Sequence, residues 1–382
     1  MKKVLGLILE LNPYHNGHKY FIDKAKEMIN PDITIAIISS SFMMRGDPMI
    51  MDKFSKTKIL LEHNVDLVLE LPTICGVNNS DYFCENAVNI LKNFKITDLC
   101  FGAETDDIND LYELVKLNNS LEFNNLIKEN LDKGFSYSTS ANKAILALSN
   151  NAVLTAKFSM PNNTLGIGYL KAIENTKIKP HIIKRIHNNY FDENISQSNI
   201  NSATALRNEL RDNNEISSYI PNYEYKFHNP TDLDNNLYKL LQFKLINDLD
   251  FKNIKGVSEG IENRFISFIN ENNYDDFLGK VLTKRYPSNK IKRLIIYILL
   301  DISKKFENNT DYYLRILGMT SNGRKHINSL DKEIKKQIIT TFKNINGNEL
   351  VNMELKATKL YGIITNNFDI YKEEFNIPYR KD

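Results

Sequence analysis

Within the first 215 residues, short apolar runs alternate with helical stretches, and that alternation constrains the fold more than any other feature of the chain. VLGLILEL (4–11), ITIAIISSS (33–41), VDLVLELP (65–72), ITDLCFGAE (96–104) and KPHIIKRI (179–186) are runs of strand length. Between them Lys19–Met28, Phe54–His63, Tyr82–Asn93, most of 107–150 and ATALRNELRDN (203–213) have helical composition, the last capped by Ser202. The runs are β-branched and nearly continuous, as in strands buried on both faces. The repetition predicts a parallel, doubly wound sheet with helices on both faces.

From Ile216 onward the pattern changes. DLDNNLYKLLQFKLINDL, KIKRLIIYILLDISKKF and SLDKEIKKQIITTFKNI keep helical spacing over long stretches, and Gly and Pro fall mostly between them. This predicts an all-α second part. At 382 residues the chain also exceeds the roughly 250–300 that one hydrophobic core usually holds. Two domains are expected: an α/β, Rossmann-like domain over 1–215 and a helical domain over 216–382, with the stretch Asn213–Asp232 as linker.

Composition narrows function by exclusion. Lys+Arg number 49 and Asp+Glu 47, a net charge of +2, so any nucleic-acid surface has to be local. Residues 216–382 hold 26 Lys+Arg against 21 Asp+Glu, which places the modest positive excess in the second half. Cys75, Cys84 and Cys100 form no CxxC pair and lie beside apolar residues, which reads as buried, reduced thiols rather than a zinc site. The N-terminal apolar run contains Glu10 and ends in Asn-Pro, unlike a signal peptide. No stretch nears the ~20 apolar residues of a membrane span, so a cytoplasmic protein is expected.

The sharpest motif is Asn12-Pro13-Tyr14-His15-Asn16-Gly17-His18, directly after the first predicted strand. A helix that begins here presents free N–H groups and a partial positive charge, and so receives phosphate. Gly17 would let backbone approach a ligand closely. His15 and His18 stand three residues apart on one face. Both can donate hydrogen bonds to a phosphate that gains charge in a transition state. Two other readings stay open: a polar turn whose side chain caps the helix, and a two-histidine metal site, for which no acidic third ligand stands at helical spacing.

H-x-G-H after the first strand resembles the signature of the HIGH-type nucleotidyltransferases, whose catalytic domain is Rossmann-like. Further landmarks are ELNPYHNGH (10–18), FMMRGDP (42–48), VDLVLELP (65–72), FGAE (101–104), PNNTLG (161–166), INSATALR (200–207), EGIENR (259–264) and RILGMTSNGRKHI (315–327). In this order and spacing the set is similar to the bacterial tRNA(Met) cytidine acetate ligase family, across essentially the whole chain. The resemblance implies a reaction in two steps. ATP activates acetate as acetyl-adenylate with release of pyrophosphate. Acetyl then passes to N4 of the wobble cytidine of elongator tRNA(Met), without acetyl-CoA. Mg²⁺ is expected with ATP, held mainly by phosphates and waters, and no protein metal ligand is assigned.

The same resemblance assigns residues. Ile8, Leu9, Glu10, Leu11, Asn12, Pro13, Tyr14, His15, Asn16, Gly17, His18, Lys19, Tyr20 and Phe21 would wrap ATP, with His15 and His18 stabilising charge along the phosphates. Gly102 stands at the end of the fourth strand, where nucleotides lie in open α/β sheets. Asn162 or Asn163 resembles a nucleotide-contacting Asn of the family. Arg185 ends the fifth strand, and Ser202, Thr204 and Arg207 open a helix and suit the β- and γ-phosphates. Arg45, in Arg45-Gly46-Asp47, sits at the same edge. It suits the acetate carboxylate or RNA, or half of a loop ion pair; Met43 and Met44 read as packing.

For RNA the clearest signal is local. Lys284, Arg285, Lys290, Lys292 and Arg293 lie within ten residues around Tyr286, and Arg324 and Lys325 form a second group beside His326. Basic clusters with an aromatic suit phosphate and base contacts, although solvated charges flanking the apolar run RLIIYILL would look the same. The wobble cytidine would have to unstack and enter the crevice. A small-molecule adenylyltransferase of the same superfamily explains HxGH and SATALR equally well, but not a large helical half with basic clusters. A non-catalytic nucleotide- or RNA-binding module has little need of both histidines.

Overall fold

The computed structural model describes residues 2–185, 194–196, 198–221, 225–247, 250–308 and 310–382. The first half forms five strands, β1 (Val4–Leu9), β2 (Ile33–Ser39), β3 (Leu67–Leu71), β4 (Asp98–Ala103) and β5 (Lys179–Lys184). They pair in parallel in the order β5-β4-β1-β2-β3. Val4 to Leu9 run in register with Ile33 to Ile38, and Asp98 to Ala103 with Lys179 to Lys184. The doubly wound expectation is met. The chain winds outward from β1 through β2 and β3, then returns to the other side of β1 for β4 and β5. The order therefore reverses between β1 and β4, and a crevice opens at their carboxyl ends.

Alternate residues of each strand serve opposite layers, as the pleat requires. Leu5, Leu7, Leu9, Ala36, Ile38 and Val68 cluster with Ile22, Ala25 and Ile29 of helix Asn16–Ile29 and with Ile59, Leu60 and Leu61 of helix Lys53–Glu62. Ile33, Ile35, Ile37, Leu67, Leu69, Leu99 and Phe101 join the other cluster, with helices Ser80–Asn93 and Pro161–Ile173. Burial on two faces is why these strands are apolar throughout. Side-chain caps start the helices: Asp52 accepts the Phe54 and Ser55 N–H groups, and Ser202 accepts that of Ala205. Cys75, Cys84 and Cys100 are free and buried, and burial raises all three thiols above their ordinary range. Among the described residues no helix is long and apolar enough to cross a membrane.

The second half is mainly helical, with Pro230–Asn247, Ser288–Leu300 and Glu349–Ile364 packed together. It differs from the all-helical expectation by supplying three strands, β6 (Leu314–Thr320), β7 (Ile338–Ile339) and β8 (Tyr379–Lys381). β6 runs antiparallel to β3 and extends the same sheet, and β7 and β8 pair with β6. SLDKEIKKQIITTFKNI is helical only over Lys332–Gln337 before β7 begins. LRILGMT, with Arg and Gly inside it, has no periodicity of its own; pairing with the edge of β3 makes it a strand.

A buried ionic cluster ties β3 to β6. Lys53, Glu70, Arg315, Glu354 and Glu374 are each at most 2% exposed. Lys53 Nζ lies 2.7 Å from Glu374 Oε1 and 3.1 Å from Glu354 Oε1, and also pairs with Glu70. Arg315 donates to Glu70 Oε2 at 3.2 Å and to Glu374. The hydroxyls of Ser40, Tyr313 and Thr358 and the Thr73 N–H donate to the same carboxylates.

Candidate active site

A cavity of about 880 Å³ opens at the crevice. Ile8, Leu9, Glu10, Leu11 and Asn12 line it from β1 and the turn after it, and Phe101 and Gly102 from β4. The loop after β2 contributes Met43, Met44 and Arg45, and helix Ser80–Asn93 contributes Ser80, Asp81 and Phe83. Ser202, Ala203, Thr204 and Arg207 come from the start of helix Ala203–Arg211. Pro287, Asn289, Lys290 and Arg293 bring in the second half.

His15 is the N-cap of helix Asn16–Ile29. Its Nδ1 accepts the Gly17 N–H at 3.0 Å, which assigns the ring proton to Nε2. A Cβ at position 17 would stand 2.7 Å from His15 Cε1, so Gly17 makes room for this ring while it lines the cavity. The His15 and His18 rings lie 4.0 Å apart, and Tyr14 stacks on His18 with centroids 5.9 Å apart. Burial and the Arg185 charge push His18 down to about 3. Burial, His18, Arg185 and Arg207 hold His15 well below its ordinary value. Both imidazoles are therefore neutral at pH 7, each with one N–H to give. His18 Nδ1 is buried without a hydrogen-bond partner among the described residues, an orphan that a ligand or water would satisfy. No group of three or more His, Cys, Asp or Glu among those residues is placed to hold a metal ion.

Cations dominate the cavity wall. Arg207 Nη1 donates to Asn12 O at 2.7 Å and its Nη2 to Thr204 Oγ1 at 3.1 Å, which joins the two helix starts. Arg45, Lys184, Arg185, Lys290 and Arg293 line it too, against Glu10 and Asp81, an excess that suits a polyanion.

Most of the ATP-wrapping residues expected from the sequence meet here, including Tyr20 and Phe21, but not all. Pro13, after a cis peptide, and Tyr14 lie buried beneath the wall. Asn16 Nδ2 donates to Asn199 O and Ser218 O at 2.9 and 3.2 Å, and Lys19 pairs with Asp23 at 2.6 Å. Asn162 lines the cavity. Asn163 is a buried brace: its Oδ1 accepts the Glu104 and Thr105 N–H groups, and its Nδ2 donates to Lys157 O.

The basic residues also divide. Lys290 and Arg293 line the cavity, while Lys284 and Arg285 are exposed, the latter 3.0 Å from Glu259. Lys292 is committed to Asp47 at 2.6 Å and pins the Phe42–Pro48 loop to helix Ser288–Leu300. Gly46 there has φ +96°, and a Cβ would lie 2.5 Å from the Lys292 carbonyl carbon. Arg324 and Lys325 are exposed on helix Ser321–Asn328. Because β6 is antiparallel to β3, that helix emerges at the amino edge of the sheet, opposite the cavity. His326 is buried, its Nε2 2.9 Å from Phe94 O. Ser80, Asp81, Phe83, Tyr137 and Tyr169 line the cavity without a sequence motif. The first three follow β3, so the carboxyl-edge rule was the available signal; the tyrosines are brought in by helix packing.

Known proteins resemble this chain in sequence and in fold. A family model described as HIGH Nucleotidyl Transferase covers residues 1–376. The tRNA(Met) cytidine acetate ligase of Thermosipho africanus is 34% identical over 403 aligned residues, spanning 100% of this chain and 92% of that protein. The enzyme of that name from Oceanobacillus iheyensis is 36% identical over 93% of each chain. The apo crystal structure of Thermotoga maritima TmcAL superposes with a TM-score of 0.88 at 29% identity, covering 99% of this chain and 100% of that one. Its form bound with alpha-thio ATP gives 0.82 at 27% identity, with the same coverage. With a family model over nearly its whole length and relatives above 30% identity, the chain belongs to the HIGH nucleotidyl transferase family, among the tRNA(Met) cytidine acetate ligases.

Proposed function

We propose that this protein uses ATP to join acetate to the wobble cytidine of elongator tRNA(Met), giving N4-acetylcytidine. Acetate attacks the α-phosphate of ATP and pyrophosphate leaves. The N4 amine then takes the acetyl group from acetyl-adenylate and AMP leaves. One observation carries this reading: the helix-start histidines and Arg207 share a cavity with Lys290 and Arg293 of the helical half. Phosphate-type groups and a basic wall from the half assigned to RNA thus meet in one space. The matched ligases and the alpha-thio ATP complex of TmcAL support it.

Residue roles follow from the geometry. His15 would donate from Nε2, its tautomer set by Gly17, and His18 from its own N–H, to phosphate oxygens as charge builds. Arg185, Arg207 and the N–H groups at the starts of the two helices would hold the remaining oxygens. Gly102 and Asn162 would border the nucleoside. Mg²⁺ would travel on the phosphates with its waters. In this reading residues 1–215 hold ATP and residues 216–382 hold tRNA, with Lys290 and Arg293 on the cavity wall and Lys284 and Arg285 exposed a few residues before them.

Incubation with ATP, labelled acetate and bulk tRNA should place label in tRNA, and should not when CTP or acetyl-CoA replaces ATP. Acetate-dependent pyrophosphate release without label in tRNA would favour a small-molecule adenylyltransferase. Absence of any acetate-dependent turnover would sink the reading.

A further inference from the structure

Part of the cavity is walled by apolar and aromatic groups that phosphates do not use: Met44, Phe83, Phe101, Leu165 and Tyr169. One carboxylate, Glu10, lines the cavity with them from the end of β1. Its Oε1 accepts the Met44 N–H at 2.6 Å, and no other described residue donates to this carboxylate. Arg45, Lys56 and Arg207 act on it from three elements, and Tyr169 feels its charge from a fourth. Lys56 does not pair with it, because its ammonium is turned to the backbone carbonyls of Glu10, Ser39 and Ser40 at 3.3, 2.7 and 3.2 Å.

A nucleobase that enters needs flat apolar walls for its faces and polar groups for its edge. Cytosine offers an exocyclic amine, the natural donor to a carboxylate, beside acceptors that suit an arginine. Uracil puts a carbonyl where the amine would be and meets the carboxylate with like polarity. The amine's lone pair is delocalised into the ring, so it gains nucleophilicity by shedding a proton as it attacks.

We propose that Glu10 reads and activates the acceptor, receiving a hydrogen bond from the N4 amine of cytidine and taking its proton during acetyl transfer. This rests on the function proposed above. The N4 electron pair forms the C–N bond to the acetyl carbon. The C–O bond to the AMP phosphate breaks, AMP leaves with that electron pair, and the N4 proton passes to Glu10. Burial raises the Glu10 carboxyl above the ordinary range, opposed by Met44 N–H, Arg45, Lys56 and Arg207, and so strengthens it as a base.

The test compares two reactions of the same full-length protein: acetate-dependent ATP–pyrophosphate exchange and acetyl transfer to tRNA. For Glu10→Gln the loss in transfer should exceed any loss in exchange by about 100-fold, with part recovered in Glu10→Asp. Nucleobase selection gives a second readout. A tRNA with uridine at the wobble position should compete about tenfold less well than its cytidine counterpart against the wild type. Glu10→Gln should narrow that gap, because an amide can donate to the uracil carbonyl. Equal losses in both reactions, unchanged transfer, or an undiminished gap overturn the assignment. Wild-type protein that labels no tRNA would remove the underlying function instead, and that control is read separately.

Discussion

Lys53→Met tests whether charge holds the two halves of the chain together. Two buried cations, Lys53 and Arg315, face three buried carboxylates, and Lys53 touches all three. Burial alone would lower the Lys53 ammonium, but Glu374, Glu70 and Glu354 outweigh it and raise it. Methionine keeps most of the side-chain shape, so the loss is one of charge more than of volume. It leaves three carboxylates on one guanidinium, and breaking a buried pair in this way costs about 3–5 kcal/mol. That is a large share of the ~5–15 kcal/mol that separates a folded protein from its unfolded chain. The pH dependence has a definite sign. Burial already raises Glu354 above its ordinary 4.5, and losing Lys53 raises it further. A group raised by folding stabilises fully below its unfolded value, and that contribution is lost as pH rises through the folded value. The deficit against wild type should therefore be smallest near about pH 5 and grow toward about pH 8. Urea denaturation followed by circular dichroism across that range measures it. Adding Glu354→Gln to Lys53→Met removes one stranded charge and should recover about 0.5–3 kcal/mol. A deficit below about 1 kcal/mol, or one indifferent to pH, would refute the role assigned to charge.

Asn163→Ala should cost about 1–3 kcal/mol by orphaning the buried Thr105 N–H and the half-buried Glu104 N–H, whereas Asn162→Ala should raise the KM for ATP with little change in stability; thermal unfolding and exchange kinetics separate the two. Lys284→Glu with Arg285→Glu should weaken tRNA binding and flatten its salt dependence by about 0.7 in log–log slope per lost phosphate contact. Filter binding across salt concentrations reads this, and unchanged affinity would take both residues out of the footprint. The ring C–H signals of His15 and His18 should not move in NMR spectra of the ligand-free protein between about pH 8 and pH 5. Their folded values lie below 6.5, so their contribution to stability is complete above that pH and is lost as pH falls. Titration near 6.5 would contradict the burial that holds them neutral.

The central parallel strands are legible in the sequence because a strand covered on both faces must be apolar throughout, as VLGLIL and ITIAIIS are. β6 is not, because its identity comes from an edge more than 240 residues earlier in the chain, as Tyr313 and Glu70 illustrate. The phosphate-type groups are legible because HNGH and SATALR each sit in one turn at a helix start. What those residues do within the turn is less so. Gly17 makes room for a ring, and Asn163 holds a loop while Asn162 lines the cavity. The basic run 284–293 shows how spacing alone misleads: one helix turn separates Arg293 on the cavity from Lys290 beside it, and Lys292 between them is bound to Asp47. That Arg324 and Lys325 stand at the edge of the sheet opposite the cavity follows from the direction of β6, which the sequence does not show.

During synthesis, β1 to β5 leave the ribosome long before Leu314 exists. Until β6 arrives, β3 ends an open sheet and presents LVLEL with unpaired N–H and C=O groups, a template for strand addition by another chain. Glu70 sits inside that strand. Lys53, made before it, pairs with it from helix Lys53–Glu62, so the open edge carries a buried ion pair rather than a bare carboxylate. Arg315 adds a second cation from within β6 itself. A strand that closes this edge therefore has to accommodate a polar pair, and β6 does so with a guanidinium that an apolar intruder lacks.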